Sequence, residues 1–284
     1  MKLGVFLFCT LIPAILGAEG LPSRLVLPGP TWPGPNAPTL KNPVKVAMVA
    51  WRGADPVWTP LGLYANAPTG ILGLSGAEHS GPAVYDRSVG AFFAMANGQL
   101  VRLDDGDRLF VVAEDVQGTD VDVYALAGLA VSREPDDTIV LHRFGPAGEG
   151  KVVLLRGQGF FGPRFSPDGK QVLVAESRAE GGHMWVVAVE DGRARDLGQG
   201  YGATWHPDGR TVVFSRIVHD SLRIWSADLY AQDVATGAER ILAITADRAE
   251  IEPAVSPDGR FVAFVDALTG DLLVAMFPDL EVAP

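Results

Sequence analysis

The sequence has one cysteine, Cys9, and none after it. With residues 1–18 read as a secretory signal peptide, the remaining chain holds no thiol. That excludes disulfides, thiolate metal sites and cysteine nucleophiles, and suits an oxidising compartment. Basic charge is also scarce: 23 Lys and Arg stand against 34 Asp and Glu, for a net charge of −11, with no Lys/Arg run. Nucleic acid and anionic membrane surfaces are therefore excluded as partners. Long apolar runs are lacking beyond the first, "MKLGVFLFCTLIPAILGA", in which Lys2 precedes an apolar stretch ending in small residues. This is the layout of a signal peptide. About 16 apolar residues broken by Pro13 fall short of the ~20 that span a bilayer, and no later segment reaches that length. The expected product is periplasmic or secreted and not integral to the membrane.

Proline is concentrated instead of absent. Residues 21–43, "LPSRLVLPGPTWPGPNAPTLKNP", hold seven prolines among 23 residues, which favours an extended tether. Residues 19–43 are read as a proline-rich arm and 44–284 as the folded domain. After Pro43 short apolar or alternating runs are separated by Gly, Asp and Pro clusters, with little sustained helical periodicity, so the domain reads as all-β.

One motif recurs. "FGPRFSPDGKQVLVAES" (161–177) returns as "YGATWHPDGRTVVFSR" (201–216) and "IEPAVSPDGRFVAFVD" (251–266). Pro167, Pro207 and Pro257 supply the fixed φ of a type I turn. Asp168, Asp208 and Asp258 can bond nearby backbone, and Gly169, Gly209 and Gly259 accept the left-handed conformation that feeds the next strand. The motif is a hairpin turn, not a catalytic one. Phe165, Trp205 and Val255 each end one strand in the core, and "QVLVA", "TVVFS" or "FVAFV" is its partner. "MWVVAVEDG" (184–192) aligns with "LYAQDVATG" (229–237) as the third strand. Upstream, "GPAVYDRSVGAFFA" (81–94) fits the first hairpin, "VRLDDG" (101–106) the end of the pattern, and "LAVSREPDDTIVLHR" (129–143) a degenerate further unit.

Units of 40–50 residues with about four short strands each are the mark of a β-propeller. Six blades are expected, with five as the alternative. The last strand, "LLVAMF" (272–277), would pair with N-terminal residues to close the ring.

These repeats, followed by "ADLYAQDVATGAERIL" (227–242), resemble the TolB-type propeller repeat over roughly residues 160–270. In that family the Pro, Asp and Gly positions serve blade geometry. The resemblance implies binding to another cell-envelope protein, a peptidoglycan-associated lipoprotein in the case of TolB. This chain departs from TolB in having the proline-rich arm where TolB has an α/β domain. Similar repeats also precede the hydrolase domain of prolyl oligopeptidase-like enzymes, which would need some 200 residues more.

Other constellations read as structure. "GLSGA" around Ser75 lacks the final glycine of a nucleophile elbow. His79, His142, His183, His206 and His219 show no metal-ligand spacing, and His206, at the serine position of a turn, is expected to be solvated. The acidic groups "LDDGD" (103–107), "TDVDV" (119–123) and "EPDDT" (134–138) are expected in solvated turns. Calcium-dependent lactonase propellers use Asn beside acidic residues, and the last Asn here is Asn97.

The expected function is a cofactor-free, monomeric, non-catalytic interaction scaffold. Phe161, Tyr201 and Glu252, just before the inner strands, are expected to ring one mouth of the channel; aromatic residues there are typical interface anchors. The competing contact is a hairpin carrying His219 and Trp225. The distance from turn glycine to third strand there is 20 residues (Gly209 to Leu229) where the preceding unit has 15 (Gly169 to Met184). The rivals from other classes are a hydrolase or lyase acting in the central channel and a glycan- or peptidoglycan-binding propeller.

Overall fold

A computed structural model describes residues 84–278, apart from 87, 90, 97, 104–108, 117, 119, 146–147, 220–223 and 246, together with the strand residues 44–45, 56–59 and 62–65. The arm, the signal segment, Ser75 and His79 lie outside the described residues, as does most of "LDDGD".

Alternating apolar runs cut by turn residues give antiparallel strands. Five four-stranded sheets follow one another. The first consists of β4 (Val84–Asp86), β5 (Ala91–Ala96), β6 (Gln99–Leu103) and β7 (Leu109–Ala113). Next come β8 (Val121–Tyr124), β9 (Leu129–Arg133), β10 (Ile139–Arg143) and β11 (Gly150–Leu155). The third holds β12 (Phe160–Phe165), β13 (Gln171–Arg178), β14 (Gly181–Ala188) and β15 (Ala194–Gln199). The fourth holds β16 (Tyr201–Trp205), β17 (Thr211–His219), β18 (Ile224–Asp233) and β19 (Glu239–Ala243). In the fifth, β20 (Glu250–Val255), β21 (Phe261–Asp266) and β22 (Asp271–Met276) are completed by β1 (Val44–Lys45), which pairs antiparallel with β22 through Val44–Val274 and Lys45–Leu273. N- and C-terminal segments thus share one blade, as the closure reading expects. A further hairpin, β2 (Pro56–Thr59) and β3 (Gly62–Ala65), falls in the stretch between β1 and the first complete blade.

First strands pack against first strands, β4 on β8, β8 on β12 and β16 on β20. They form the inner side of the ring. Adjacent blades bury apolar faces between them: Leu141, Val131, Phe160, Val172 and Val174 between the second and third, and Val213, Leu229, Val255, Phe264 and Leu273 between the fourth and fifth. Phe165, Trp205 and Val255 are buried, as the repeat predicts.

The three turns match the sequence reading. The Gly169 N–H donates to the Ser166 carbonyl at 2.8 Å, Gly209 to His206 at 3.0 Å and Gly259 to Ser256 at 2.9 Å. The glycines have φ of 69, 68 and 73°, the region a Cβ disfavours. Ser166 Oγ donates to Asp168 at 2.7 Å and Ser256 Oγ to Asp258 at 2.6 Å. Burial alone would raise the pKa of Asp168, Asp208 and Asp258, but the hydroxyl and backbone N–H donors around them outweigh it, with Lys170 beside Asp168 and Arg260 beside Asp258 adding to the effect, and hold all three below the usual value.

Some expectations are corrected. The His206 side chain is 12% exposed, not solvated: its ring packs on Phe277 and its Nε2 bonds the Gly259 carbonyl at 3.3 Å. "TDVDV" is not a solvated turn. Asp122 lies within β8, and its carboxylate accepts the Phe165 N–H of the next blade at 2.8 Å. Asp120 pairs with Arg133 at 3.1 Å. The degenerate unit exists, but "EPDD" caps its second hairpin. The turn equivalent to Pro-Asp-Gly is a short 3-10 turn, Ala125–Ala127, ending on left-handed Gly128.

Candidate functional site at the mouth of the ring

Each first strand runs from one mouth of the ring to its Pro-Asp-Gly turn at the other. The starts of β12, β16 and β20 therefore share a mouth with the hairpins joining second to third strands. Phe161-Gly162, Tyr201-Gly202 and Ile251-Glu252 were placed by sequence just before these strands. They lie inside them, where the pairing register of each shifts, between Phe161 and Arg164, Tyr201 and Thr204, and Ile251 and Ala254. Each is a bulge, and each carries a left-handed residue: Gly162 and Gly202 at φ 58° and Glu252 at φ 51°.

The added residues lengthen the hairpin of β17 and β18 to strands of nine and ten residues, against eight and eight in β13 and β14. The hairpin reaches the mouth. Tyr201 Oη lies 3.0 Å from His219 Nε2, with the two rings edge to face at 6.0 Å. The two sites that sequence set in competition are thus one. Tyr201 leans over the tip of the neighbouring hairpin, where a Cβ on Gly182 would come within 2.7 Å of its ring. Those two glycines, Gly181 and Gly182, make room for the tyrosine. On the hairpin of β17 and β18, Val218 is 61% and Trp225 54% exposed, Phe161 on the third blade is 39% exposed, and Ile244, on the segment returning to this mouth, is 59% exposed. The sequence reading missed Val218 and Ile244; only the hairpin's length, which puts both near its mouth end, could have pointed to them.

Glu252, near the start of β20, lies at the same mouth. Its side chain turns toward Gly202 on the fourth blade, whose Cβ, were there one, would lie 3.5 Å from the glutamate Cδ. It is exposed, and the protein packed around it raises its pKa while the charge of Arg164 partly offsets the rise. Burial likewise raises Asp122 against the opposing charge of Arg164 and the N–H bonds from Phe165 and Val123. Sequence reasoning did not single out Asp122; its bond to the Phe165 N–H of the next blade is a product of blade stacking.

No family model matches the chain, and no curated protein does. Among solved structures it is similar to a putative TolB from Agrobacterium tumefaciens (16% identity over 69% of this chain and 90% of that one, TM-score 0.49). It is also similar to TolB from Acinetobacter baumannii (19% identity, 70% of this chain and 52% of that one, TM-score 0.45), and to the tricorn protease (14% identity, 74% and 22%, TM-score 0.50). At such identities the likeness is one of fold. With its four-stranded antiparallel sheets, three of which carry a Pro-Asp-Gly turn between first and second strands, the chain has a β-propeller fold.

Proposed function

We propose that this propeller is a non-catalytic protein-interaction scaffold of the periplasm, acting as a monomer, and that its partner docks on the mouth formed by Phe161, Tyr201, His219 and Trp225. The observation that carries the reading is the Tyr201–His219 hydrogen bond. It fixes the extended hairpin against the first strand of its own blade, so that exposed aromatic and aliphatic side chains from two blades form one surface. Rigid aromatic anchors cost little conformational entropy on binding and dominate interface energetics. The partner is another envelope protein, and the TolB resemblance makes a lipoprotein the first candidate.

The test is affinity capture from a native envelope extract with three baits: the parent protein, Phe161→Ala/Tyr201→Ala, and a variant in which residues 218–226 are replaced by a two-residue turn. The reading expects one bound protein that both variants lose while melting as the parent does. A partner retained by both variants would place the docking face elsewhere.

A further inference from the structure

We propose that the seam between the fourth and fifth blades, where β20 starts at the mouth, is a pH-operated joint that is closed while the Glu250 carboxyl carries a proton and loosens when the proton leaves.

Blade geometry does not ask for an acid here. The two preceding repeats carry Phe160 and Gly200 at the position of Glu250. Backbone pairing then sets Glu250 beside two aspartates. It lies opposite Asp266 in the ladder of β20 and β21. One residue earlier a parallel bridge joins Ala249 to Ala227 of β18, so the residues that follow each, Glu250 and Asp228, run side by side.

The acids are not equally provided for. Asp266 is 3% exposed and accepts three bonds, from the N–H groups of Ala249 at 3.1 Å and Leu268 at 3.0 Å and from the Thr269 hydroxyl at 3.0 Å. Glu250 is 1% exposed and accepts one, from the Thr245 hydroxyl to Oε1 at 2.7 Å. Its Oε2 is buried and has no hydrogen-bond partner among the described residues.

An ionised carboxylate enclosed in this way would lose most of the bonds that water gives it, so the closed seam holds the neutral form. Burial raises the pKa of Glu250 and the charge of Asp228 adds to the rise, while the Thr245 hydroxyl and the charge of Arg248 oppose it. Arg248 forms no ion pair with Glu250 among the described residues. The other charged groups nearby are engaged elsewhere. Arg216 turns to the third-blade side, over the Tyr230 ring at 4.5 Å, and pairs with Glu239 at 2.6 Å. His219 bonds Tyr201 at the rim, and Asp247 and Glu252 are exposed.

The proton can leave only if water reaches the carboxyl. Glu250 is the first residue of β20, so water enters from the mouth, and its entry parts the contacts that close the seam. These are the Thr245–Glu250 bond, the Ala227–Ala249 bridge, the Ala249 N–H on Asp266 and the Ala267 N–H on the Ala249 carbonyl at 2.8 Å. The closed form favours the proton, so the seam is tightest below the ordinary glutamate value of 4.5 and loosens as pH rises above it. Ile244, which precedes Thr245, is part of the rim. If the docking reading holds, partner capture weakens as the seam opens.

The test is amide hydrogen exchange of the full chain at pH 5 and pH 8, corrected for the intrinsic rate. The Ala249 and Ala267 amides should lose protection by about tenfold or more at the higher pH. The Gly200 amide, bonded to the Gly182 carbonyl where the fourth blade begins, serves as control and should not follow them. Glu250→Gln keeps the shape and an acceptor for Thr245 without a charge, and its Ala249 and Ala267 protection should match at both pH values. Carbon NMR of the parent, with labelled glutamate, should show the Glu250 carboxyl titrating above 4.5; this reading does not depend on the variant folding. The proposal is overturned if the parent keeps its Ala249 and Ala267 protection at pH 8, if Glu250→Gln loses it as the parent does, or if the Glu250 carboxyl titrates at or below 4.5. None of these measurements uses a partner, so failure here leaves the docking test intact, and the converse holds.

Discussion

The imidazole of His206 lies 4.9 Å from the ring of Phe277, centroid to centroid. These residues come from different blades, and the contact sits where both other repeats carry serine. Ser166 and Ser256 each donate to the turn aspartate and accept the N–H that opens the next strand, from Gln171 at 3.0 Å and Phe261 at 2.9 Å. At the His206 turn Thr211 takes over, donating its hydroxyl to Asp208 at 2.8 Å, and Asp208 also accepts the Thr211 N–H. The histidine keeps one turn bond, its Nδ1 accepting the Asp208 N–H at 3.2 Å, while its ring reaches Phe277 and the Gly259 carbonyl.

His206→Ser should therefore fail to recover stability although it restores the repeat. The expected loss is about 1–2 kcal/mol, from the stacking contact and one hydrogen bond, with Thr211→Val adding a separate loss at Asp208. Denaturant midpoints of the two variants and their combination measure both. A His206→Ser protein as stable as the parent would show that the ring contact contributes nothing.

The three turn glycines should not respond alike. A Cβ on Gly169 would stand 2.4 Å from the Tyr124 ring and one on Gly259 2.7 Å from His206 Nε2, whereas at Gly209 the nearest atom is Pro167 Cδ at 4.0 Å. Gly209→Ala should cost about 1 kcal/mol, the left-handed penalty alone. Gly169→Ala and Gly259→Ala should cost more, about 2–3 kcal/mol, since a neighbouring ring must move. Equal losses at all three, read by chemical denaturation, would mean that the blades adjust freely.

Removal of residues 271–284 takes away β22, and with it the partner of β1 and the buried side chains of Leu273, Val274 and Phe277. The whole ring should lose cooperativity, with the melting midpoint down by ~10 °C or more. A protein trimmed only of residues 1–45 should be affected less, because two paired residues are lost rather than a strand. Calorimetry of both truncations checks the order.

His142 gives the pH dependence. It is 2% exposed and its Nε2 lies 2.8 Å from Ser132 Oγ. Burial, with Lys151 adding to it, lowers its pKa from 6.5 to about 4. Unfolding frees a group that binds protons below pH 6.5, so stability is full above that value and falls as pH drops toward 4, by about 3 kcal/mol in total. The glutamine of a His142→Gln variant does not titrate, so the parent-minus-variant stability difference should fall by about 3 kcal/mol as pH drops from 6.5 to 4. A constant difference across that window would mean that His142 is as easily protonated folded as unfolded.

The sequence by itself determined the blade. Proline, aspartate and glycine at fixed offsets impose one turn geometry through their own φ restrictions and short-range bonds, and alternation of apolar residues imposes strands; both are local causes, and the hairpins at Phe165, Trp205 and Val255 formed as the repeat predicts. The extra residues before Leu229 were likewise readable as a longer hairpin. What only the tertiary structure decided lies between blades. Nothing local to His206 says that its ring reaches Phe277, nothing in "TDVDV" places Asp122 against Phe165, and Tyr201 and His219 meet only because strand length carries the hairpin back to the start of its own blade. Asp122 and Phe165 are 43 residues apart in the chain. Stacking of blades brings them together, because each inner strand is positioned by apolar burial on its flanks.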